Sequence, residues 1–304
     1  MDDARVYLFV PGSRPERFAK ALEGGADAVI VDLEDAVGPA DKAAARAALA
    51  GWLSPQRPVL VRINGSDTPW FQDDLALCGL PGVAGVVLPK AERAEDVAAV
   101  AARAGAGVPV LPLIETAQGI WNAHAVATAP RVQRLLFGSI DFQVDLGIDG
   151  EGEELLHFRS QLVLVSRVAG LRAPVDGVCT AIDDAERLRA ETQRGRRLGF
   201  GGKLCIHPKQ VDVVRACYLP GPEEIAWAQR VVAADAAAGG AAVALDGKMI
   251  DRPVLMKARE ILSRAAGAGP AAAAPGSAAS AGGAATAGSA AAAAAAGHGG
   301  SAPP

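Results

Sequence analysis

Short apolar segments that recur along the first 208 residues constrain the fold more than any other feature of the sequence. A continuous run of Val, Ile and Leu indicates a strand buried on both faces, which is typical of a parallel sheet. Ala-rich stretches with helical spacing separate the segments, and several of them end on Gly, as helix C-termini often do. The segments span 6–12, 27–35, 58–64, 85–90, 109–115, 134–141, 174–179 and 203–208.

Eight strand–helix units in this length predict a closed (β/α)8 TIM barrel. A doubly wound open sheet is the alternative arrangement of the same elements. No G-x-G-x-x-G follows any of the eight segments, so the sequence does not support a dinucleotide site. We therefore predict an α/β protein with a TIM barrel over residues 1–222.

The sequence beyond the barrel divides into an arm and a tail. Residues 223–264 predict a helix ending at Gly239–Gly240, a turn at Asp246–Gly247 and a last helix. No Lys, Arg, Asp or Glu occurs after Arg264. A segment of Ala, Gly, Ser and Pro cannot bury enough apolar surface to fold, so we expect residues 265–304 to be disordered.

Charge, hydropathy and cysteine usage exclude several classes of function. The formal net charge is only -4 and no dense Lys/Arg block occurs, so nucleic acid is not an expected partner. No run of about 20 strongly apolar residues is present, so no membrane span is expected. The four cysteines show no CxxC spacing and the acidic N-terminus shows no signal peptide. Together these features predict a cytoplasmic protein with free thiols.

Polar residues follow the apolar segments at the points where the strands should end. In TIM barrels the chemistry takes place at the carboxyl ends of the strands. The polar residues are Asp32, Glu34 and Asp35 after the second segment, Arg62 and Asn64 after the third, Lys90 after the fourth, Glu115 after the fifth, Ser139 and Asp141 after the sixth, and His207 after the eighth.

Glu115 and Asp141 end neighbouring strands, and two unpaired carboxylates would repel each other there. A divalent cation removes that cost. Two carboxylates with room for water, and no His or Cys nearby, suit Mg²⁺ better than Zn²⁺. The alternative is that each acid caps the following helix or pairs with Arg62.

Arg62 lies between apolar residues in VLVRIN. It either forms a structural ion pair or binds a substrate carboxylate or enolate oxygen beside the metal. Asp32 and Glu34 are expected to act through their neighbours, by accepting bonds from metal-bound water or from Arg62.

The first strand leads into a Gly-containing turn and a helix that carries Arg14, Arg17 and Lys20. These cations are either surface charge on a first helix or the binding site of a phosphate-bearing substrate.

Seven motifs occur together and in order, and they extend over residues 5–263. The motifs are LFVPGSRPERFAKA, VDLEDAV followed by Lys42, VRIN, LPKAE, IETAQG, CIHPKQ and DGKMIDRPV. With these motifs the sequence resembles the citrate lyase β-subunit-like branch of the HpcH/HpaI aldolase superfamily, which includes malyl-CoA and citramalyl-CoA lyases.

The resemblance implies a Mg²⁺-dependent TIM-barrel enzyme that makes or breaks a C–C bond in an acyl-CoA. It implies Glu115 and Asp141 as metal ligands and Arg62 as the residue that binds substrate beside the metal. Lys20, with Arg14, matches the basic residues near the CoA phosphates. Asp251 resembles the catalytic acid/base of a C-terminal arm that closes over a neighbouring subunit, often within a trimer; a trimer or hexamer is therefore expected.

One motif departs from the family pattern: many relatives read G-A-E-D where this chain reads GSID, with Ile140 in place of the acid.

We predict a lyase that cleaves a 3-hydroxyacyl-CoA of the malyl-, citramalyl- or citryl-CoA type into acetyl-CoA, or a related acyl-CoA, and a 2-oxo acid, or that runs in the synthetic direction. The alternatives are a malyl-CoA-type thioesterase, an aldolase acting on a free 2-oxo acid, and an acyl-CoA-binding subunit of a multi-subunit lyase.

Overall fold

The computed structural model describes residues 4–238 and 243–267. Eight parallel strands close into a barrel in sequential order, with β8 returning to pair with β1, and this confirms the predicted TIM barrel over the doubly wound sheet. The strands are β1 (Val6–Pro11), β2 (Ala28–Asp32), β3 (Val59–Arg62), β4 (Val83–Leu88), β5 (Val110–Ile114), β6 (Leu136–Phe137), β7 (Val175–Asp176) and β8 (Gly202–Cys205).

Helices cover the outside of the barrel. They are α1 (Phe18–Glu23), α2 (Lys42–Trp52), α3 (Phe71–Asp74), α4 (Ala94–Arg103), α5 (Ala117–Trp121), α6 (Ala123–Ala127), α7 (Ser139–Leu146), α8 (Leu156–Val168), α9 (Ala185–Leu198) and α10 (Val211–Tyr218). Side chains alternate between the two faces of each strand, so one set packs inside the barrel and the other against the helices. The inner set includes Tyr7, Ile30, Leu60, Val87, Leu111, Leu136, Val175 and Leu204.

The region after β6 differs from the sequence prediction. The apolar segment 134–141 predicted a strand that reaches Asp141. Instead β6 ends at Phe137, and Asp141 lies in the first turn of α7. Phe142 is fully buried and its ring lies 5.4 Å from that of Phe137 and 4.7 Å from that of Phe158. The helix places the Phe142 ring in the core, and burial of this ring favours a helix over a longer strand.

The arm comprises α11 (Pro222–Ala237), an antiparallel hairpin of β9 (Val243–Leu245) and β10 (Lys248–Ile250), and α12 (Arg252–Gly267). Asp246 and Gly247 form the predicted two-residue turn with φ of 51° and 73°, the left-handed conformation that such hairpins require. The helix continues past the predicted boundary at 264 to Gly267. The predicted helix end at Gly239–Gly240 and the tail after Gly267 lie outside the described residues.

The arm helices pack on each other through their own apolar cluster, which includes Ala228, Val231, Ala258 and Ile261. Within the described part of the chain, no helix is both long and apolar enough to cross a membrane.

Candidate active site

Three inward-facing apolar series each end in a polar residue at the carboxyl end of the barrel. Inward positions recur every second residue along a strand, so the next inward position falls at the mouth. Asp32 follows Ile30, Arg62 follows Leu60, and Glu115 follows Leu113. The period of the strand therefore carries these side chains into the barrel lumen, where they line a cavity of about 370 Å³.

Arg62 lies directly opposite Asp32 in the register between β2 and β3. Its Nε and Nη2 donate to the two carboxylate oxygens of Asp32 at 2.7 and 2.6 Å. Its Nη1 lies 2.8 Å from Glu34 Oε2, and the guanidinium carbon lies 4.9 Å from the centre of the Phe9 ring. Burial lowers the pKa of Arg62, but Asp32 and Glu34 outweigh burial, so the pKa is raised and the cation is permanent.

Asp32 is held from both sides. Besides Arg62, its carboxylate accepts the backbone N–H groups of Glu34 at 2.9 Å and Ala36 at 3.1 Å. The loop after β2 therefore holds the Asp32 carboxylate in place, and this carboxylate fixes the orientation of Arg62.

Lys90 connects two acids of the mouth, Glu34 after β2 and Glu115 after β5. Its Nζ donates to Glu34 Oε1 at 2.7 Å, and its backbone N–H donates to Glu115 Oε1 at 2.8 Å. Its φ of 46° is in the left-handed region, which is uncommon for a residue with a side chain. The strained backbone turns the N–H towards Glu115 while the side chain reaches Glu34.

Glu115 is almost fully buried, at 1% exposure, as is Asp32. Burial, followed by the negative charge of Glu34, raises the pKa of Glu115 to about 8; Arg62 opposes the shift and Asp141 adds to it. Burial also raises the pKa of Glu34, although Arg62 and Lys90 oppose that shift. An additional positive charge beside Glu115 would remove most of this cost.

Gly138 makes room for Glu115. A Cβ at position 138 would lie 2.5 Å from the Cβ of Glu115 and closer still to its Oε2. Asp141 is half-buried, lies one helical turn beyond Gly138 and lines the same cavity. Glu115 and Asp141 are therefore brought to one cavity, as the sequence predicted.

The donor set fits a hard divalent cation. No group of three or more His, Cys, Asp or Glu residues that could enclose a metal is found in residues 4–238 and 243–267. Two carboxylates supply part of an octahedral shell and leave positions for water and substrate oxygens, the pattern that Mg²⁺ sites commonly show. Glu115 Oε1 is engaged by Lys90, so Oε2 is the oxygen available to a cation.

Arg14 and Lys20 lie outside this cavity. Both are exposed, and Arg14 lines a separate surface cavity of about 440 Å³ that begins at Gly12, next to the mouth residue Pro11. Asp251 also lies apart from the mouth of its own chain. It precedes α12, and its Oδ1 accepts the backbone N–H of Val254 at 3.2 Å, as a helix cap does.

Sequence reasoning gave Lys90 too little weight and did not single out Gly138. The strand-end position of Lys90 was visible in the sequence, but its positive φ was not. His207 caps the turn Pro208–Gln210, its Nδ1 accepting the N–H of Lys209 at 3.2 Å, which is a structural role.

A closed parallel barrel, with buried acids and an ion-paired arginine at the carboxyl ends of its strands, defines a TIM-barrel enzyme. Residues 5–208 match the HpcH/HpaI aldolase/citrate lyase family, and residues 162–269 match the C–C bond lyases of the TIM-barrel fold. The chain belongs to the HpcH/HpaI aldolase/citrate lyase family.

Similar proteins carry two kinds of name. A citrate lyase subunit beta-like protein of Deinococcus radiodurans is 40% identical over 86% of this chain and 97% of its own length. A (3S)-malyl-CoA thioesterase of Cereibacter sphaeroides is 39% identical over 86% of this chain and 94% of its own. The structure of CitE from Mycobacterium tuberculosis in complex with magnesium, acetoacetate and coenzyme A has a TM-score of 0.79 and 38% identity, covering 88% of this chain and all of that one.

Proposed function

We propose that this protein is a Mg²⁺-dependent lyase that cleaves a 3-hydroxyacyl-CoA into an acyl-CoA and a 2-oxo acid. The observation that carries the proposal is the pair Glu115 and Asp141 in one cavity, beside an arginine that is held in place by Asp32. A structural relative that binds magnesium, acetoacetate and coenzyme A supports it. The substrate is of the malyl-, citramalyl- or citryl-CoA type.

Glu115 and Asp141 would hold the cation. When bound, Mg²⁺ acts as a Lewis acid and template for the hydroxyl and carboxylate oxygens of the substrate. The raised pKa of Glu115 fits this role, since burial leaves its negative charge poorly compensated by protein groups alone.

Arg62 is suited to the charge that develops in cleavage. The C–C bond between the hydroxyl-bearing carbon and the acyl α-carbon breaks, and its electron pair moves to the acyl fragment as an enolate. The hydroxyl group gives its proton to a carboxylate of the mouth, and its oxygen becomes the keto oxygen of the 2-oxo acid. Arg62 stabilises the enolate oxygen, and its ion pairs with Asp32 and Glu34 keep it oriented before the reaction begins.

Asp251 would return a proton to the α-carbon, acting from a neighbouring copy of the chain. In its own chain it is absent from the residues that line the mouth. α12 instead contributes to a cavity at the amino ends of the strands, where Arg5 and Arg134 precede β1 and β6. We therefore propose a homo-oligomer, a trimer or hexamer, in which each arm closes a neighbour's mouth.

The coenzyme A phosphates would bind near Arg14 and Lys20, whose exposed cations lie on the segment that follows β1. Because α1 is a short helix, the affinity for the phosphates would come from the charges of these side chains rather than from a helix dipole.

We propose a cytoplasmic location because Cys78, Cys179, Cys205 and Cys217 are all free and buried. Free thiols suit a reducing compartment. Cell fractionation with an antibody against the chain would test this.

Hydrolysis of a malyl-CoA-type thioester is the second candidate function, favoured by the similarity to the (3S)-malyl-CoA thioesterase. It would use the same cation and the same arginine, with water attacking the thioester carbonyl. Both activities are compatible with one site, because each places negative charge on the thioester oxygen.

Mass spectrometry of purified protein with a panel of CoA esters and Mg²⁺ separates these functions. Cleavage of the C–C bond gives an acyl-CoA and a 2-oxo acid, whereas hydrolysis gives free CoA and an intact hydroxy acid. Conversion of free 2-oxo acids without CoA would instead identify an aldolase, and binding without any turnover would favour a subunit role. Glu115→Gln protein is the matched control, and equal turnover by that variant would contradict the proposed site.

A further inference from the structure

A second cavity, of about 1080 Å³, lies at the opposite end of the barrel from the mouth. We name it the floor cavity; it is bounded by Arg5, Arg134 and Gly199–Gly201, which precede β1, β6 and β8, and by α12. All strands of a parallel barrel have their amino ends on one face, so this cavity is separate from the catalytic mouth.

The floor cavity concentrates positive charge. Among the described residues, six arginines, one lysine and two glutamates line it, whereas the whole chain has a formal net charge of -4. A concave site lined by one sign of charge focuses the electrostatic potential and raises the local concentration of counter-ions. The distribution of charge therefore favours an anion here although the protein as a whole is acidic.

Arg134 is the most buried of these cations, at 4% exposure. Its guanidinium donates to the carbonyl oxygen of Ala4 at 2.7 Å, to that of Ala173 at 2.6 and 2.9 Å, and to the Tyr7 hydroxyl at 2.8 Å. In the described part of the chain no carboxylate pairs with it. The carbonyl and hydroxyl groups that accept its hydrogen bonds orient the Arg134 guanidinium, but they carry no net charge and so do not neutralise it.

Among the described residues, no acid neutralises three other cations of the cavity, which are Arg5, Arg197 and Lys257. Arg5 donates to the carbonyl oxygen of Tyr218 at 3.0 Å. Lys257 lies 5.8 Å from the Trp227 ring centre, and both Lys257 and Arg197 are exposed. Among residues 4–238 and 243–267, neither Arg197 nor Lys257 forms an ion pair with an acid.

The two glutamates are already occupied. Glu224 accepts from Arg196 Nη2 at 2.9 and 3.1 Å, and Glu260 Oε1 lies 4.0 Å from Arg264 Nη2. They therefore compensate Arg196 and Arg264, and four cations are left for a ligand: Arg5, Arg134, Arg197 and Lys257.

We propose that the floor cavity is a binding site for a small molecule that carries two or more phosphate groups. Planar guanidinium groups match phosphate oxygens in pairs, and a di- or triphosphate supplies several charges within a compact group. The volume admits a nucleotide-sized molecule. Because the cations come from both the barrel and α12, the bound phosphates tie the arm to the barrel.

Calorimetry of the full chain with pyrophosphate, in EDTA to remove divalent cations, tests the proposal. We expect one strong site per chain, in the floor cavity, with affinity that falls as salt is added; the exposed pair Arg14 and Lys20 should contribute only weak binding. The double variant Arg197→Gln/Lys257→Gln changes only exposed side chains, so the fold should persist. It should weaken pyrophosphate binding by about tenfold or more, since two phosphate-binding charges are lost, and leave kcat with the CoA ester unchanged.

Arg14→Gln/Lys20→Gln is the matched control, because it removes two exposed cations near the mouth. This variant should bind pyrophosphate as the unaltered protein does. Loss of binding in this control, together with full binding in Arg197→Gln/Lys257→Gln, would overturn the proposal, as would no binding at all.

Two further measurements complete the test. Asp2 and Asp3 precede Ala4, which lines the cavity. If pyrophosphate bound only after Asp2→Asn and Asp3→Asn, the N-terminal acids would be the natural occupant of the floor cavity and the proposal would be wrong.

Titration with ADP separates the sources of phosphate. Tighter binding than pyrophosphate assigns a nucleotide, and weaker binding assigns a phosphate compound without a base.

Discussion

At the scale of single residues, the mouth is a set of buried acids whose charges are only partly balanced. Arg62 is shared between Asp32 and Glu34, and Lys90 is shared between Glu34 and the backbone contact with Glu115. Removing one partner of a buried ion pair typically costs about 3–5 kcal/mol, because it leaves an uncompensated charge. Substitutions of Asp32 or Arg62 would therefore confound folding with function, whereas the proposed metal ligands offer a cleaner test.

We predict that Glu115→Gln and Asp141→Asn each abolish turnover and preserve the fold. The changes remove a charge with little change of shape. Loss of groups that merely orient a metal ligand costs about 10–100-fold in metal affinity, so loss of a ligand should cost at least that. Calorimetric titration with Mg²⁺ measures the effect, and circular dichroism confirms folding. Unchanged Mg²⁺ affinity in both variants would refute the assignment.

Binding of Mg²⁺ should depend on pH, because burial raises the pKa of Glu115 from 4.5 to about 8. Below pH 8 the cation must displace a proton, so affinity should rise about tenfold per pH unit and level off above pH 8. Proton release, measured by calorimetry in buffers of different ionisation enthalpy, should vanish in Glu115→Gln. Affinity that is flat between pH 6 and pH 8 would contradict this.

The same shift affects stability. Between pH 4.5 and about 8 the folded state holds the proton of Glu115 more tightly than the unfolded state does. Metal-free protein should therefore lose stability as pH rises through this window, and saturating Mg²⁺ should oppose the loss. Thermal melts at several pH values, with and without Mg²⁺, measure the difference.

At the scale of elements, the connection from β6 to α7 decides the geometry of the candidate metal site. β6 is only two residues long, and Gly138 turns the chain into α7, which then presents Asp141 on its first turn. The absence of a side chain at Gly138 lets the backbone approach Glu115. The position of both acids therefore depends on one small residue.

We predict that Gly138→Ala displaces the Glu115 carboxylate and weakens Mg²⁺ binding by about 10–100-fold. The added Cβ would lie 2.5 Å from the Glu115 Cβ, so a neighbour must move. Overpacking of this kind costs about 1–3 kcal/mol. Mg²⁺ titration and denaturant unfolding measure the two effects.

Gly51→Ala in α2 is the matched control for the same chemical change. Among the described residues, no heavy atom apart from its chain neighbours and the backbone of its own helix lies within 4 Å of a Cβ placed there. Alanine in a helix should stabilise by about 0.5–1 kcal/mol and leave Mg²⁺ affinity unchanged. Equal Mg²⁺ affinity in the two variants would show that Gly138 does not support the site.

At the scale of the whole molecule, the barrel and the arm place the proposed catalytic groups apart. α12 contributes to the floor cavity, whereas Glu115 and Asp141 line the mouth at the other end. A single copy of the chain therefore does not bring Asp251 to its own site. Either a second copy supplies this acid, or Asp251 is only a helix cap.

The substitution Asp251→Asn distinguishes these roles. Asparagine caps helices about as well as aspartate, so a cap alone predicts a nearly silent change. A proton shuttle predicts a fall in kcat of about 10²–10⁴, with KM mostly kept because Arg62 and the cation still hold the substrate. Steady-state kinetics measure both parameters. Near-normal kcat would exclude Asp251 from the mechanism.

Mixing Asp251→Asn with Glu115→Gln protein tests whether the acid comes from another copy. In mixed oligomers some mouths would have an intact Glu115 and receive an intact Asp251 from a neighbour. We expect activity to return after the two inactive proteins are exchanged, and activity should stay absent when either variant is mixed with itself. No recovery despite verified subunit exchange would argue against a shared site.

The barrel and most of its polar rim could be predicted from the sequence, because they depend on local patterns. Strand burial is visible as continuous apolar runs, and the carboxyl ends of parallel strands meet on one face whatever the details of packing. Glu115, Asp141 and Arg62 were predicted as site residues in this way, and the structure places all three around one cavity. The end of β6 was predicted wrongly because burial of Phe142, a long-range effect, extends the helix to Ser139.

For β2, β3 and β5 the sequence by itself determined which polar residues stand at the strand ends, since a strand's period of two residues sorts side chains inward or outward. Only the tertiary structure decided which of them meet: the register that sets Asp32 against Arg62, the left-handed turn that lets Lys90 bridge Glu34 and Glu115, and the close approach at Gly138. The floor cavity could not be predicted from the sequence either, because Arg5, Arg134 and Lys257, which line it, are far apart in sequence. They come together because parallel strands share their amino ends and α12 folds back onto that face, which no local pattern records.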